Sequence, residues 1–266
     1  MKRRTYKIAV GAALMALSMA MTSFGAGRAD LEAGKTAAGG PGAVDTAAPE
    51  GAGDTAENTG SPVENGEIVP GNLGAAEQAD QMVVVVGTGG CSADVSYYRK
   101  DETGGWQLAW REAGIVGRNG ITDEKREGDG KTPEGTYRFT MPFGLKDDPG
   151  AKLPYHKVRQ GDYWVDDSQS AHYNRLVNTS ETARDWNSAE NLATAYTVYN
   201  YALALSYNEE CVPGQGSAIF LHCFTANPDN GSAGCIRLPE ERARELVVSA
   251  TEQTRIVIAR DLEHLR

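Results

Sequence analysis

The run "MVVVV" (Met82 to Val86) is apolar at every position, as a strand covered on both faces must be, and "GTGG" closes it with turn residues. Downstream the pattern alternates. "VSYYR" and "WQLAWRE" flank "KDETGG", which is hairpin chemistry. "GTYRFTMPFG" starts a strand that Pro142 and Gly144 end. In "YTVYNYALALSYN", Tyr199, Tyr201, Leu203, Leu205 and Tyr207 fall on one face, with Asn200, Ala202, Ala204 and Ser206 on the other. That period of two predicts a long, half-buried strand. "SAIFLHCF" and "RIVIA" predict two more. Helical spacing occurs in "PEERARELVVSATEQ": Ala243, Leu246, Val247 and Ala250 form an apolar stripe, Pro239 suits the first turn, and Glu240 and Glu241 favour the positive end of the dipole. Another helix is predicted near "SAENLATAY". The elements add up to one mainly β domain with a few helices, spanning residues 82–266.

Ahead of that domain the patterning stops. Residues 26–81 are rich in Ala and Gly and hold no aromatic side chain. Ten acidic residues there face only Arg28 and Lys35, so this stretch carries most of the chain's net charge of −10. It cannot bury enough apolar surface to offset its ordering entropy, and it is expected to be a disordered acidic linker. The acidity therefore describes a spacer and not a substrate. Residues 1–25 have the form of a secretory signal peptide. Lys2, Arg3, Arg4 and Lys7 precede "IAVGAALMALSMAMTSF", and Ser23 and Gly25 offer small side chains for cleavage. The alternative is an uncleaved anchor, since the run approaches the length of a spanning helix. Either way the domain is exported, to the outer side of a membrane or into the medium. No basic stripe is present, which argues against a nucleic-acid partner.

Two motifs fail on inspection. "GTGG" mimics a dinucleotide fingerprint, but the third glycine position is Ser92 and no βαβ alternation follows. "EGDGKT" mimics a phosphate loop, yet Lys125 stands where its first glycine belongs and Pro133 blocks the helix. What survives is "LHCFTANPDNGSAGCIRLPEE" (Leu221 to Glu241). On an alternating strand Phe220, His222 and Phe224 point one way and Ile219, Leu221 and Cys223 the other, so Cys223 is expected to pack as a small hydrophobe. The same divergence weakens a zinc site built from His222, Cys223 and Cys235. Cys235 follows a Gly/Ser/Asn-rich loop, where Gly234 lets the backbone turn and exposes N–H groups able to lower a thiol pKa or hold an oxyanion. His222 is the base that the loop would return to it. From the residues alone, a disulfide of Cys235 with Cys91 or Cys211 stands as an equal alternative.

"LHCFTANPDNGSAGCIRL" resembles the active-site signature of the L,D-transpeptidase catalytic domain (the YkuD family), in which a strand ends in His and a loop leads to Ser/Thr-His-Gly-Cys, an aliphatic residue and Arg or Asn. "GDGKTPEGTYRF" resembles that family's lysine–threonine–proline–x–glycine block. "IVGRNGI", "YWVDD" and "YALALSYN" are similar to the branch in which Ala, here Ala233, replaces the second histidine. The similarity covers about Met82 to Ala259. It implies a β-sandwich-like catalytic fold with Cys235 as nucleophile and His222 as base. Gly234 and the Cys235 amide would be the oxyanion donors, Ser232 would support the loop and Arg237 would orient loop or substrate. The substrates implied are peptidoglycan stem peptides. The thiolate attacks the third residue of a donor tetrapeptide, expels D-alanine, and passes the acyl group to an acceptor amine as a 3→3 cross-link. No cofactor or metal is implied, and carbapenem-type β-lactams would inhibit covalently. Trp164, Asp166, Tyr173 and Asn174 are the candidates for the substrate groove, and Cys91 and Cys211 for a disulfide. Two readings compete: an L,D-carboxypeptidase or endopeptidase that gives the acyl group to water, and a wall-binding module without catalysis.

Overall fold

A computed structural model describes residues 60–194, 197–225 and 230–266. The signal peptide and residues 26–59 of the expected linker lie outside the described residues. The first three strands of the main sheet, β1 (Gln81–Gly89), β2 (Ser92–Lys100) and β3 (Trp106–Ile115), form an antiparallel meander. The long β4 (Gly135–Gly144) carries Pro142 within it and takes the short β5 (His156–Lys157) alongside its end. Three short strands, β6 (Asp162–Val165), β7 (Leu176–Asn178) and β8 (Ala189–Asn191), form a separate sheet with β6 in the middle. The chain then supplies β9 (Ala202–Leu205), β10 (Phe220–Cys223), β11 (Ile236–Leu238), helix α1 (Glu240–Ser249) and β12 (Thr254–Ala259).

Pairing in the main sheet runs β9-β10-β11-β3-β2-β1-β12-β4 and returns from β4 to β9, so the hydrogen-bond ladder closes on itself. Closure removes the unpaired edges that a sheet of short strands would otherwise expose. The fold is mainly β, with one α-helix among the described residues. β1 shows why its sequence is uniformly apolar. Val83 and Val85 join the main core with Leu203, Leu221 and Leu246, while Met82, Val84 and Val86 enter a second cluster on the other face.

That second cluster moves the domain boundary. Leu73, Ala75, Ala76 and Ala79 are buried in it against Val257 and Ala259, after a small hairpin that pairs Val63–Glu64 with Glu67–Ile68. Residues 60–81, assigned above to the linker, are thus part of the folded unit. Their few aliphatic side chains suffice because they close an apolar face already built by β1 and β12.

The α1 stripe is buried as expected, with Pro239 at the cap position. Two other elements differ from expectation. "SAENLATAY" is not a helix: Ala189–Asn191 pair with Tyr163 to Val165, and a 3-10 turn, Leu192–Thr194, follows. "YTVYNYALALSYN" contains a strand of only four residues, buried on both faces. Tyr199 leaves the aliphatic face for the cluster of Phe143, Ala202, Phe220 and Cys235. No disulfide joins Cys91 to Cys211, and Cys235 is likewise in none.

Candidate active site

The site is built on the parallel pair β10/β11, whose register sets His222 opposite Arg237 and Leu221 opposite Ile236. Side chains of neighbouring strands share a face at equal register, and alternate residues share it along a strand. Arg237 and Cys235, which immediately precedes β11, therefore project on the face that carries His222 and Phe220. Leu221, Cys223 and Ile236 project on the other, into the main core. Cys223 is packing, as expected, and burial pushes its thiol up to about 11. It cannot join His222 and Cys235 at one metal ion, and among the described residues no cluster of His, Cys, Asp or Glu is placed to hold one.

Cys235 is 9% exposed and His222 4%. Burial pushes the Cys235 thiol up to about 12, with the Glu190 carboxylate adding and Arg237 and Lys125 opposing. Burial pushes His222 down to about 4, and the Arg237 charge acts in the same direction. At neutral pH both groups are uncharged. His222 Nδ1 lies 2.8 Å from its neighbour's carbonyl, Cys223 O, which fits Nδ1–H as the donor and leaves Nε2 as the basic nitrogen. The thiol donates to Ala218 O at 3.2 Å and not to the imidazole. Tyr199 packs edge-on against the His222 ring, 5.1 Å between centroids.

The loop before Cys235 is fastened at several points. Ser232 Oγ donates to Cys235 O at 2.6 Å and accepts from the Gly234 amide at 3.0 Å. This corrects one expectation: the Gly234 N–H is taken by Ser232, so the Cys235 amide remains as the candidate oxyanion donor. Thr132 Oγ1 donates to Gly234 O and accepts from the Gly117 amide, both at 2.8 Å. The "GDGKTPEG" block thus serves as a buttress for the loop. Gly234 has φ 152°, and a β-carbon there would stand 2.8 Å from Lys131 O.

The small sheet supplies the site's other wall. Trp164 packs on Phe220, 4.9 Å between ring centroids, and on Phe143 at 6.5 Å. Glu190, opposite Trp164 in register, keeps an exposed edge and hydrogen-bonds Tyr199, and desolvation by the surrounding wall with the nearby Asp166 charge raises its carboxyl above the usual range. Asp166 Oδ1 and Arg237 Nε are buried without a hydrogen-bond partner. Of the four groove candidates, Trp164 and Asp166 adjoin the site. Tyr173 is buried with its hydroxyl on Glu127, 2.5 Å away. Asn174 is a hydrogen-bonding hub and not a groove wall. Sequence reasoning missed Tyr199, Glu190 and Lys125 as neighbours of the thiol. The strand pattern of "AEN" is too short to have signalled Glu190.

A strand histidine, a tight Ser-x-Gly-Cys loop and an arginine two residues on, all on one sheet face, agree with the sequence profile that matches residues 83–258, that of the L,D-transpeptidase catalytic domain, YkuD. The chain belongs to this family. No curated protein matches the chain. Among solved structures it is similar to the helical cell shape determining protein Pgp2 from Campylobacter jejuni, at 18% identity and a TM-score of 0.37 over 68% of this chain and 48% of that one. It is also similar to a fused Zn-dependent amidase/peptidase/peptidoglycan-binding domain-containing protein from Clostridium acetobutylicum, at 12% identity and a TM-score of 0.31 over 67% of this chain and 51% of that one. The chain thus spans about half the length of each of these structures.

Proposed function

We propose that this L,D-transpeptidase-family enzyme is exported and forms 3→3 cross-links between peptidoglycan stems through a Cys235 thioester, with His222 as general base. The observation that carries the reading is the shared face of His222, Cys235 and Arg237 on the β10/β11 pair. The thiol turns from Ala218 O toward His222 Nε2 and gives up its proton as Sγ attacks the carbonyl of the donor's third residue. The Cys235 amide holds the oxyanion. Collapse breaks the peptide bond, and His222 returns the proton to the departing D-alanine amine. An acceptor amine then attacks the thioester, loses a proton to His222, and restores the thiol. A neutral imidazole beside a neutral thiol fits general-base catalysis in step with attack, in contrast to a preformed ion pair. Arg237, Asp166 and Glu190 give the site both signs of charge, which suits the carboxylate and ammonium groups of a stem peptide.

The test is mass spectrometry of tetrapeptide muropeptides incubated with the reduced protein and a D-amino acid, beside a Cys235→Ala control. Cross-linked dimers or D-amino-acid exchange, absent from the control, establish transpeptidation. Tripeptide and free D-alanine without either product would make the enzyme a hydrolase. A product pattern indifferent to Cys235→Ala would sink the mechanism.

A further inference from the structure

The Cys235 thiol is held by a series of bonded groups that begins outside the strand pair, between β6 and β7. Asn174 sits there in the left-handed region, at φ 55°. Its Oδ1 accepts from Trp164 Nε1 at 2.9 Å and from the Ala218 amide at 3.0 Å, and its Nδ2 donates to Asn208 O at 2.8 Å. Ala218 is also left-handed, at φ 52°. A β-carbon disfavours that conformation, which persists only where the surroundings impose it. The carbonyl so presented is the one that accepts the Cys235 thiol, 3.2 Å from Sγ.

We propose that Asn174 is a positioning residue for the nucleophile: by clamping Ala218 in its left-handed turn, it parks the Cys235 thiol in protonated form on the Ala218 carbonyl until substrate displaces it. A carbonyl oxygen attracts S–H and repels a thiolate, whereas the Phe220 amide, bonded to the same sulfur, favours the anion. The sulfur thus lies between partners of opposite preference, and the clamp sets the balance. Lys125 and Arg237 also favour the anion, while Glu190 opposes it; neutral His222 shares the face. None of these groups hydrogen-bonds Asn174, so a change at Asn174 isolates the clamp.

The proposal rests on Cys235 as nucleophile, but its test reads the thiol directly. Iodoacetamide alkylation of the intact chain is followed at Cys235 by peptide mass mapping between about pH 7 and 10, where the rate follows the thiolate fraction. Asn174→Ala should raise the Cys235 rate about tenfold at each pH, equal to a fall of one unit in the thiol's titration. Adding Ala218→Gly to that variant should bring the rate back toward native, because glycine adopts φ 52° without the clamp. An unchanged rate in Asn174→Ala, or a rise that Ala218→Gly does not reverse, overturns the proposal. If Asn174→Ala unfolds, seen as all four cysteines reacting together, Trp164→Phe decides the matter. It removes one bond to Oδ1 and keeps an aromatic ring. A smaller rise at Cys235 sustains the clamp, and no rise overturns it. Turnover of stem peptides by native protein and Cys235→Ala tests the catalytic reading separately.

Discussion

Acid should destabilise this protein over a window set largely by one residue. His222 is buried and uncharged, pushed down to about 4 from an ordinary 6.5, chiefly by burial and further by Arg237. In the unfolded chain the imidazole titrates near its ordinary value. Between pH 6.5 and pH 4 the unfolded state therefore binds a proton that the folded state refuses, and stability falls as pH falls. A difference of about 2.5 units at about 1.4 kcal/mol each amounts to roughly 3.5 kcal/mol, a large share of a domain's stability. Two hydrogen-bonded carboxylates act elsewhere. Asp129 and Asp162 have lowered pKa values, so their contribution is complete above the ordinary 3.8 and is lost below it. Urea unfolding of the native protein and of His222→Gln, followed by tryptophan fluorescence from pH 4 to 7.5, measures the effect. The native slope should exceed that of His222→Gln by up to about 1.4 kcal/mol per pH unit inside the window, and the two should run parallel above pH 7. Equal slopes throughout would refute the reasoning, because the imidazole would then titrate alike in both states.

Three further substitutions test separate parts of the structure. Gly234→Ala places a β-carbon 2.8 Å from Lys131 O at φ 152°, so thermal unfolding should show a loss of about 1–3 kcal/mol and turnover should fall with it. Leu73→Ala opens the second core cluster and should cost about 2–5 kcal/mol in denaturant titrations; a change below 0.5 kcal/mol, typical of an exposed site, would return residues 60–81 to the linker. Glu190→Gln removes a charge that opposes ionisation of Cys235, so alkylation of Cys235 at about pH 8 should quicken several-fold. An unchanged rate there would show that the carboxylate does not act on the sulfur, and a slower one that it favours the thiolate.

The faces of β10 were legible because its neighbours differ in chemistry. Leu221 and Cys223 needed an aliphatic core, and His222 did not. The register that sets Cys235 two positions from His222 was not legible, since a parallel pairing across a long loop leaves no local mark. "SAENLATAY" looked helical because its apolar residues fall close together, yet three of its residues pair with β6, and that long-range pairing overrides propensity. "YTVYNYALALSYN" alternated on paper, but the turn at Thr197 to Asn200 sends Tyr199 to the opposite side from Leu203 and Leu205. Residues 60–81 escaped notice because their apolar content is low; they fold by completing a surface made elsewhere.

The same geometry bears on position 233, where the resemblance noted from the sequence would place a second histidine and this chain has alanine. Ala233 is exposed, whereas Ser232, Gly234 and Cys235 on either side are buried. A side chain at that position points to solvent and does not enter the β10/β11 face. The substitution thus leaves the buried set of His222, Cys235 and Arg237 complete, and it also leaves the thiol a single imidazole. His222→Gln should therefore reduce turnover by roughly 10²–10⁴-fold, the usual worth of a general base. Ala233→His should not restore it, because an imidazole at that exposed position lies off the face from which the proton must be taken. Recovery in the double variant would mean that the loop can present position 233 to the sulfur and that the base is not fixed to β10.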